Sequence, residues 1–208
     1  NTNRYEEALE VSQKAIKISP NDAALHLNLG HVLIKLGRFY DSSESLKNAI
    51  KLKPDFAEAF TNLGFALREL GLLEESEETL RKAISLSPNQ PQSHNNLGLT
   101  LKDQAKVGEA KKSLIKATVL NSNYDIAFWN LAGLAEDIDD AENWVDKCLI
   151  INQNHLEANF IKAAFQYYKG NKEKYNQLKD SNFKNHPYMR TFAWVFNLTN
   201  LPQLYFHK

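Results

Sequence analysis

Residues 23–56 read AALHLNLGHVLIKLGRFYDSSESLKNAIKLKPDF, and the same pattern of residue types returns in residues 57–90 and in residues 91–124. Proline and glycine mark this repeat most clearly, each recurring every 34 residues: Pro20, Pro54 and Pro88, and Gly30, Gly64 and Gly98. Small residues keep the same interval: Ala15, Ala49, Ala83 and Ala117. Because several positions share one period, we predict an array of repeated structural units.

Each repeat contains two segments whose apolar residues are spaced by three and four positions, the period of an α-helix. In the first complete repeat these segments are Ala23–Lys35 and Phe39–Leu52. Gly37 lies between them and fits the tight turn that joins two antiparallel helices. Pro54 follows the second segment, where it ends the helix because it has no amide hydrogen to donate. A residue as small as Gly30 is predicted where two helices cross closely.

The Leu-Gly pairs at positions 29–30, 63–64 and 97–98, each followed by the small residue and then the proline, resemble the motifs of the tetratricopeptide repeat (TPR) family. The resemblance implies an all-α fold, a right-handed α-solenoid of antiparallel helix pairs, the TPR superhelix. It covers most of the chain, with decreasing fidelity towards the C-terminus.

The array is predicted to have five segments. Residues 1–20 are interpreted as the second helix of a truncated repeat, 21–124 as three regular units, 125–155 as a shortened fourth unit, 156–189 as a degenerate fifth unit, and 190–208 as a capping helix and tail. In the fourth unit Ala132 replaces the glycine, and the turn near Asp137 is about three residues short. Atypical terminal repeats are expected, since one face must meet water or another domain.

Composition excludes several classes of partner. Lys plus Arg and Asp plus Glu both number 25, so the chain lacks the basic footprint of a nucleic-acid binder and has no excess charge for an anionic membrane surface. No apolar run approaches the ~20 residues of a membrane span. The single cysteine, Cys148, cannot form an internal disulfide and favours a cytoplasmic location.

The motifs of catalysis and cofactor binding are missing from the sequence. It has no glycine-rich phosphate loop, no nucleophile elbow and no histidine spacing suited to zinc. Cys148 occupies an alanine position and is interpreted as a small buried thiol. In the acidic run 137–140, Asp139 or Asp140 is expected to cap the following helix rather than bind calcium. We therefore predict no enzyme, no cofactor and no metal site.

The candidate binding residues lie on the first helix of each pair, which in stacked repeats lines the concave face. Four asparagines precede the repeat glycine, or its replacement, by two positions: Asn28, Asn62, Asn96 and Asn130. The row resembles the asparagine ladder of O-linked N-acetylglucosamine transferase-type repeats, which holds peptide backbone; the alternative is that these amides bond neighbouring repeats. The flanking candidates are Leu27, His31, Phe65, Arg68, Asn95, Lys102 and Trp129.

The favoured function is a non-catalytic interaction module that binds an extended peptide or a partner protein in the concave groove. The alternative is the substrate-recruiting arm of a larger glycosyl-, methyl- or sulfotransferase whose catalytic domain follows Lys208. A further expectation concerns residues 1–20, where Tyr5, Ala8 and Ala15 contribute to an apolar face. That face is expected to meet either a second copy of the chain or an upstream helix.

Overall fold

A computed structural model describes residues 2–171 together with residues 173 and 177. The degenerate end of the predicted fifth unit and the predicted cap and tail, 190–208, lie outside the described residues. The described chain is all helical, and its ten helices are α1 Thr2–Ile18, α2 Ala23–Lys35, α3 Phe39–Leu52, α4 Ala57–Glu69, α5 Leu73–Leu86, α6 Pro91–Asp103, α7 Val107–Leu120, α8 Asp125–Ala132, α9 Ile138–Ile151 and α10 Leu156–Tyr168. Two compact units divide the chain, Asn1–Asn121 and Ser122–Lys208.

The first unit is built from three helix pairs that follow α1. Within each pair, α2 packs on α3, α4 on α5 and α6 on α7, and the second helix of one pair contacts the first helix of the next. The first helices also contact each other, since α4 touches both α2 and α6. This is the arrangement of a TPR solenoid, and it confirms the all-α helix-pair fold predicted from the repeat.

In each pair of the first unit, a glycine on the first helix packs against a leucine on the second. A Cβ atom placed on Gly64 would lie 2.4 Å from Leu80 Cγ, and the same test at Gly30 and Gly98 gives 2.6 Å to the leucines at 46 and 114. All three leucines are fully buried. Separations this short leave no room for a methyl group, so the glycine sets the distance between the two helices.

The second unit has a different pair of residues at the two register positions, both in one buried cluster. Its helix α8 has 8 residues, where α2, α4 and α6 each have 13. Ala132 takes the place of the glycine, and Val145, fully buried, takes the place of the leucine in the shortened register. The added methyl group on α8 is thus matched by a smaller side chain on α9, which keeps the packed volume nearly constant.

The turns inside the pairs require a left-handed backbone. Gly37 and, one repeat later, Gly71 have φ of 71° and 77°, which confirms the turn predicted at Gly37. The equivalent residue of the third pair is Ala105, with φ of 60°, and it is the one non-glycine residue with positive φ in the described chain. A left-handed conformation strains any residue with a Cβ atom, so this turn is less favourable than the other two.

Two helices begin at an aspartate that caps them. Asp22 accepts a hydrogen bond from the backbone amide of Ala24 at 2.8 Å, and Asp137 accepts one from the amide of Asp140 at 2.8 Å. The expectation that Asp139 or Asp140 caps α9 was wrong, because both already lie in its first turn and Asp137 holds the extended backbone of an N-cap.

The glycine–leucine contact predicts a specific pattern of mutational coupling. Gly64→Ala should destabilise the first unit by about 1–3 kcal/mol through overpacking against Leu80. Leu80→Val alone should cost about 1 kcal/mol. The double variant copies the pairing of Ala132 and Val145. Its free energy of unfolding, measured in urea, should exceed by about 1–2 kcal/mol the value expected from adding the two single changes.

Gly108→Ala is the matched control for this cycle. Gly108 lies in a helix with no atom within 4 Å of an added Cβ, so the change should stabilise slightly through helix propensity. If the free-energy changes of Gly64→Ala and Leu80→Val simply add in the double variant, the contact does not have the role assigned to it.

The strained turn gives a second prediction. Ala105→Gly should raise the free energy of unfolding by about 1 kcal/mol, because glycine adopts positive φ without steric cost. Gly71→Ala, at the equivalent position with no neighbouring atom to clash, should lower it by a similar amount. Thermal unfolding followed by circular dichroism measures both, and shifts of the same sign would refute the explanation.

Candidate functional site

In the first unit one line of residues on each first helix faces away from the packed helices. We call it the asparagine stripe, and its side chains are exposed or half-buried. Its members are Ala24, Asn28, His31 and Lys35 on α2; Glu58, Asn62, Phe65 and Glu69 on α4; and Gln92, Asn96, Leu99 and Asp103 on α6. The contacts of α4 with α2 and α6 place the three lines beside one another.

The asparagine amides of the stripe are largely without partners in the protein. In the described part of the chain, the side chains of Asn28 and Asn62 make no hydrogen bond, and Asn96 Oδ1 accepts one long bond of 3.4 Å from Asn95 Nδ2. Asn28 is exposed, while Asn62 and Asn96 are half-buried. Each amide offers two donors and one acceptor, a set that matches the groups of a peptide backbone.

An apolar row runs next to the asparagines. Phe65 and Leu99 follow the repeat glycines and are half-buried, whereas His31 in the same position on α2 is exposed. The Phe65 ring meets the Phe39 ring edge-on, with centroids 6.2 Å apart. This contact fixes one face of Phe65 and leaves the rest of the ring on the stripe.

Two polar links hold α4 against α6 and so fix the spacing of Asn62 and Asn96. Thr61 Oγ1 and Ser93 Oγ are 2.7 Å apart near one end of the helices, and Arg68 Nε donates to Asp103 Oδ2 at 2.6 Å near the other. The link between Thr61 and Ser93 was not predicted from the sequence, although two hydroxyl residues spaced by almost one repeat could have indicated it.

Arg68 is therefore not a free cation. Besides its bond to Asp103, its Nη1 lies 3.0 Å from Glu69 Oε1, and only 20% of its side chain is exposed. Of the two basic flanking candidates Arg68 and Lys102, only Lys102 is exposed. Two carboxylates of the stripe, Glu69 and Asp103, are thus paired with Arg68.

Two of the predicted binding residues lie inside the helix packing. Leu27 is 6% exposed and belongs to the core cluster with Leu46 and Ala59. Asn95 is 3% exposed. Both precede the repeat glycine by three positions, which is almost one helical turn, so they share its buried side. We assign them to packing and not to the stripe.

In the second unit, Trp129 and Asn130 are both half-buried. Trp129 packs against the core cluster around Val145 and Cys148, and its ring centroid lies 5.3 Å from that of His155. Asn130 has an interaction partner of its own. Within the described part of the chain, the amides of the asparagine row without a hydrogen bond are thus those of Asn28 and Asn62.

The chemistry available elsewhere is limited. Cys148 is fully buried, and burial raises the pKa of its thiol to about 11, which keeps it protonated and unreactive near neutral pH. Among the residues described, no group of three or more His, Cys, Asp and Glu side chains is placed to hold a metal ion. None of the described helices is both long and apolar enough to cross a membrane.

Comparison with known families and structures identifies the repeat. A family model described as TPR repeat matches residues 2–37, 30–71 and 66–105, and one described as tetratricopeptide repeat matches residues 91–124. No curated protein matches the chain in sequence.

Several solved structures share the fold at low identity. PilW, a type IV pilus biogenesis factor, is 22% identical with a TM-score of 0.79, over 91% of this chain and 90% of that one. TTC0263, a TPR protein of Thermus thermophilus, is 23% identical with a TM-score of 0.70, over 79% and 92%. YrrB, a TPR protein with an unusual peptide-binding site, is 20% identical with a TM-score of 0.60, over 92% and 100%.

Proposed function

The chain belongs to the tetratricopeptide repeat family, and on this premise we propose that it is a non-catalytic interaction module that binds an extended peptide along the asparagine stripe. The observation that carries the proposal is the pair of unpartnered amides, Asn28 and Asn62, on adjacent helices. An extended peptide has backbone donors and acceptors that need partners, and asparagine can serve both. The resemblance to an asparagine ladder is part of the same proposal.

The apolar row beside the asparagines suggests the kind of side chain that the peptide carries. Phe65 and Leu99 are half-buried neighbours on α4 and α6, and an aliphatic or aromatic peptide side chain would cover the surface they leave open. An aromatic residue held by a neighbouring ring is a typical anchor point for a ligand, because little conformational entropy is lost on binding.

The charges of the stripe favour a peptide of low net charge. Arg68 is neutralised by Asp103 and Glu69, so it does not form an anion site. Along the stripe and its border, the positive charges of Lys35, Arg68 and Lys102 are equal in number to the negative charges of Glu58, Glu69 and Asp103. A strongly acidic or basic segment would therefore gain little electrostatic affinity here.

YrrB supports the choice of a peptide as ligand. It has the same fold and is described as carrying an unusual peptide-binding site. We propose the same class of ligand for this chain on the strength of its own exposed amides.

Removing the amides should weaken peptide binding without destabilising the fold. A 12-residue peptide selected from a random library on the wild-type chain and labelled with fluorescein serves as the probe. Asn28→Ala with Asn62→Ala should weaken its binding about tenfold, since each lost neutral hydrogen bond costs about 0.5–1.5 kcal/mol. The melting temperature should stay equal or rise, because neither amide has a hydrogen-bond partner among the described residues and alanine is the better helix former.

Asn48→Ala is the matched control, because Asn48 is exposed on the second helix of a pair, away from the stripe. It should leave peptide affinity unchanged in fluorescence anisotropy. Equal affinity of the wild-type chain and the double variant would remove the stripe from the binding site.

A further inference from the structure

The carboxylate of Glu58 lies at one border of the asparagine stripe and has no partner in the described part of the chain. Glu58 stands in the first turn of α4, is exposed, and forms neither a hydrogen bond nor an ion pair with any described residue. The other two carboxylates of the stripe, Glu69 and Asp103, are both bound to Arg68. Among the described residues of the stripe, Glu58 is thus the carboxylate that remains open to a ligand.

The surroundings of Glu58 are complete on both sides of its helix. Helix α4 lies between α2 and α6, and it contacts both of them. At the register position of Glu58 these two helices carry uncharged residues, Ala24 and Gln92. The negative charge of Glu58 is therefore not matched by the residues beside it in the stripe.

Among the described residues, no lysine of this region neutralises Glu58. Lys53, five positions earlier in the chain, places its Nζ over the ring of Phe56, 4.7 Å from the centroid. Lys35 and Lys102 lie near the opposite border of the stripe. In the repeat register they stand ten or eleven positions further along the first helix than Glu58, which is about 15 Å along the helix axis.

The nearby imidazole of His31 does not neutralise Glu58 either. Burial and the charge of Lys35 lower the pKa of His31, and the carboxylate of Glu58 acts in the opposite direction. The net result is a lowered pKa, so the ring is uncharged at neutral pH. The stripe therefore presents an uncompensated negative charge at Glu58.

Glu58, Asn62 and Phe65 together can read two neighbouring side chains of a peptide. They are spaced by four and three positions on α4, so along the helix axis Asn62 lies about 6 Å from Glu58 and about 4.5 Å from Phe65. A peptide backbone that binds the Asn62 amide runs between the carboxylate and the ring. Successive side chains of an extended peptide point to opposite sides, so one reaches Glu58 and the next reaches Phe65.

We propose that the peptide bound along the asparagine stripe carries a lysine or arginine that pairs with Glu58 and, at the adjacent position, an apolar side chain that packs on Phe65. This inference rests on the proposed function, since it needs the peptide backbone on Asn62, and it adds the side-chain pattern that the site selects. The long apolar stem of a basic side chain lets its charge reach the border of the stripe. A single basic residue agrees with a peptide of low net charge.

The exposure of Glu58 sets the expected size of the effect. An ion pair in contact with solvent contributes little free energy, so losing it should weaken peptide binding about two- to fivefold. Added salt should reduce this contribution further. The pair therefore determines which peptides are preferred more than how tightly they bind.

Selection from a random library of 12-residue peptides tests the pattern on three versions of the chain. Peptides selected on the wild-type chain should be enriched in a lysine or arginine next to an apolar residue. On Glu58→Lys the basic residue should be replaced by aspartate or glutamate. Glu78→Lys is the matched control, because Glu78 on α5 is exposed, has no ion pair with a described residue and lies away from the stripe; it should select the wild-type pattern.

A coupling measurement distinguishes direct pairing from an indirect effect of the substitution. One selected peptide is labelled with fluorescein and compared with a version whose basic residue is replaced by glutamine. The replacement should lower affinity about two- to fivefold on the wild-type chain and leave it unchanged on Glu58→Gln. Circular dichroism checks that each variant is folded, as expected for a change at an exposed position.

The outcomes separate this inference from the proposed function. Peptides that depend on Asn28 and Asn62 but show no preference for a basic residue would overturn the pairing with Glu58 and leave the proposed function intact. An unchanged preference on Glu58→Lys, or an equal loss of affinity on the wild-type chain and on Glu58→Gln, would also overturn it. Peptides that bind independently of Asn28 and Asn62 would remove both.

Discussion

The contact between a repeat glycine and a buried leucine is the constraint on which the rest of the first unit depends. At Gly64 the two helices approach so closely that a single methyl group would lie 2.4 Å from Leu80 Cγ. This close approach fixes the distance between the two helices. It also fixes the rotation of the first helix about its own axis, because its glycine must face the leucine of the second helix. Successive residues in an α-helix turn by about 100°. The residue two positions before the glycine therefore lies nearly opposite to it, and the outward placement of Asn28 and Asn62 follows from the inward placement of Gly30 and Gly64.

The same rotation explains which sequence predictions held. The period, the helix pairs and the turn glycines could be read from the sequence because proline and glycine act locally and leave a clear signal. Leu27 and Asn95 could also have been assigned to the core from their spacing to the glycine. Trp129 holds the same place before Ala132, and it packs on the core of its unit. The left-handed Ala105 could not be inferred from residue type, because alanine gives no indication of positive φ.

Polar contacts between neighbouring helices complete the account of the stripe. The link between Thr61 and Ser93 and the bond of Arg68 to Asp103 hold α4 and α6 at both ends, so Asn62 and Asn96 are positioned before any ligand arrives. Positioning of this kind reduces the entropy lost on binding. The pairing of Arg68 was hidden from the sequence, because a charge thirty-five positions away in the chain becomes a neighbour only through the repeat. In the second unit Ala132 and Val145 stand at the two register positions and belong to one buried cluster, as expected if the constraint is on combined volume and not on glycine itself.

The side-chain amide signals of asparagine in a ¹⁵N-correlated NMR spectrum test the central claim most directly, namely that the glycine contact turns a row of ligand-binding amides outward. The selected 12-residue peptide is titrated into the labelled chain, and the signals are assigned by substitution. The Asn28, Asn62 and Asn96 amides are expected to shift together with a single binding curve, while Asn48 is unaffected. Shifts confined to Asn48 and other residues of the second helices, with the three amides unchanged at saturation, would contradict it.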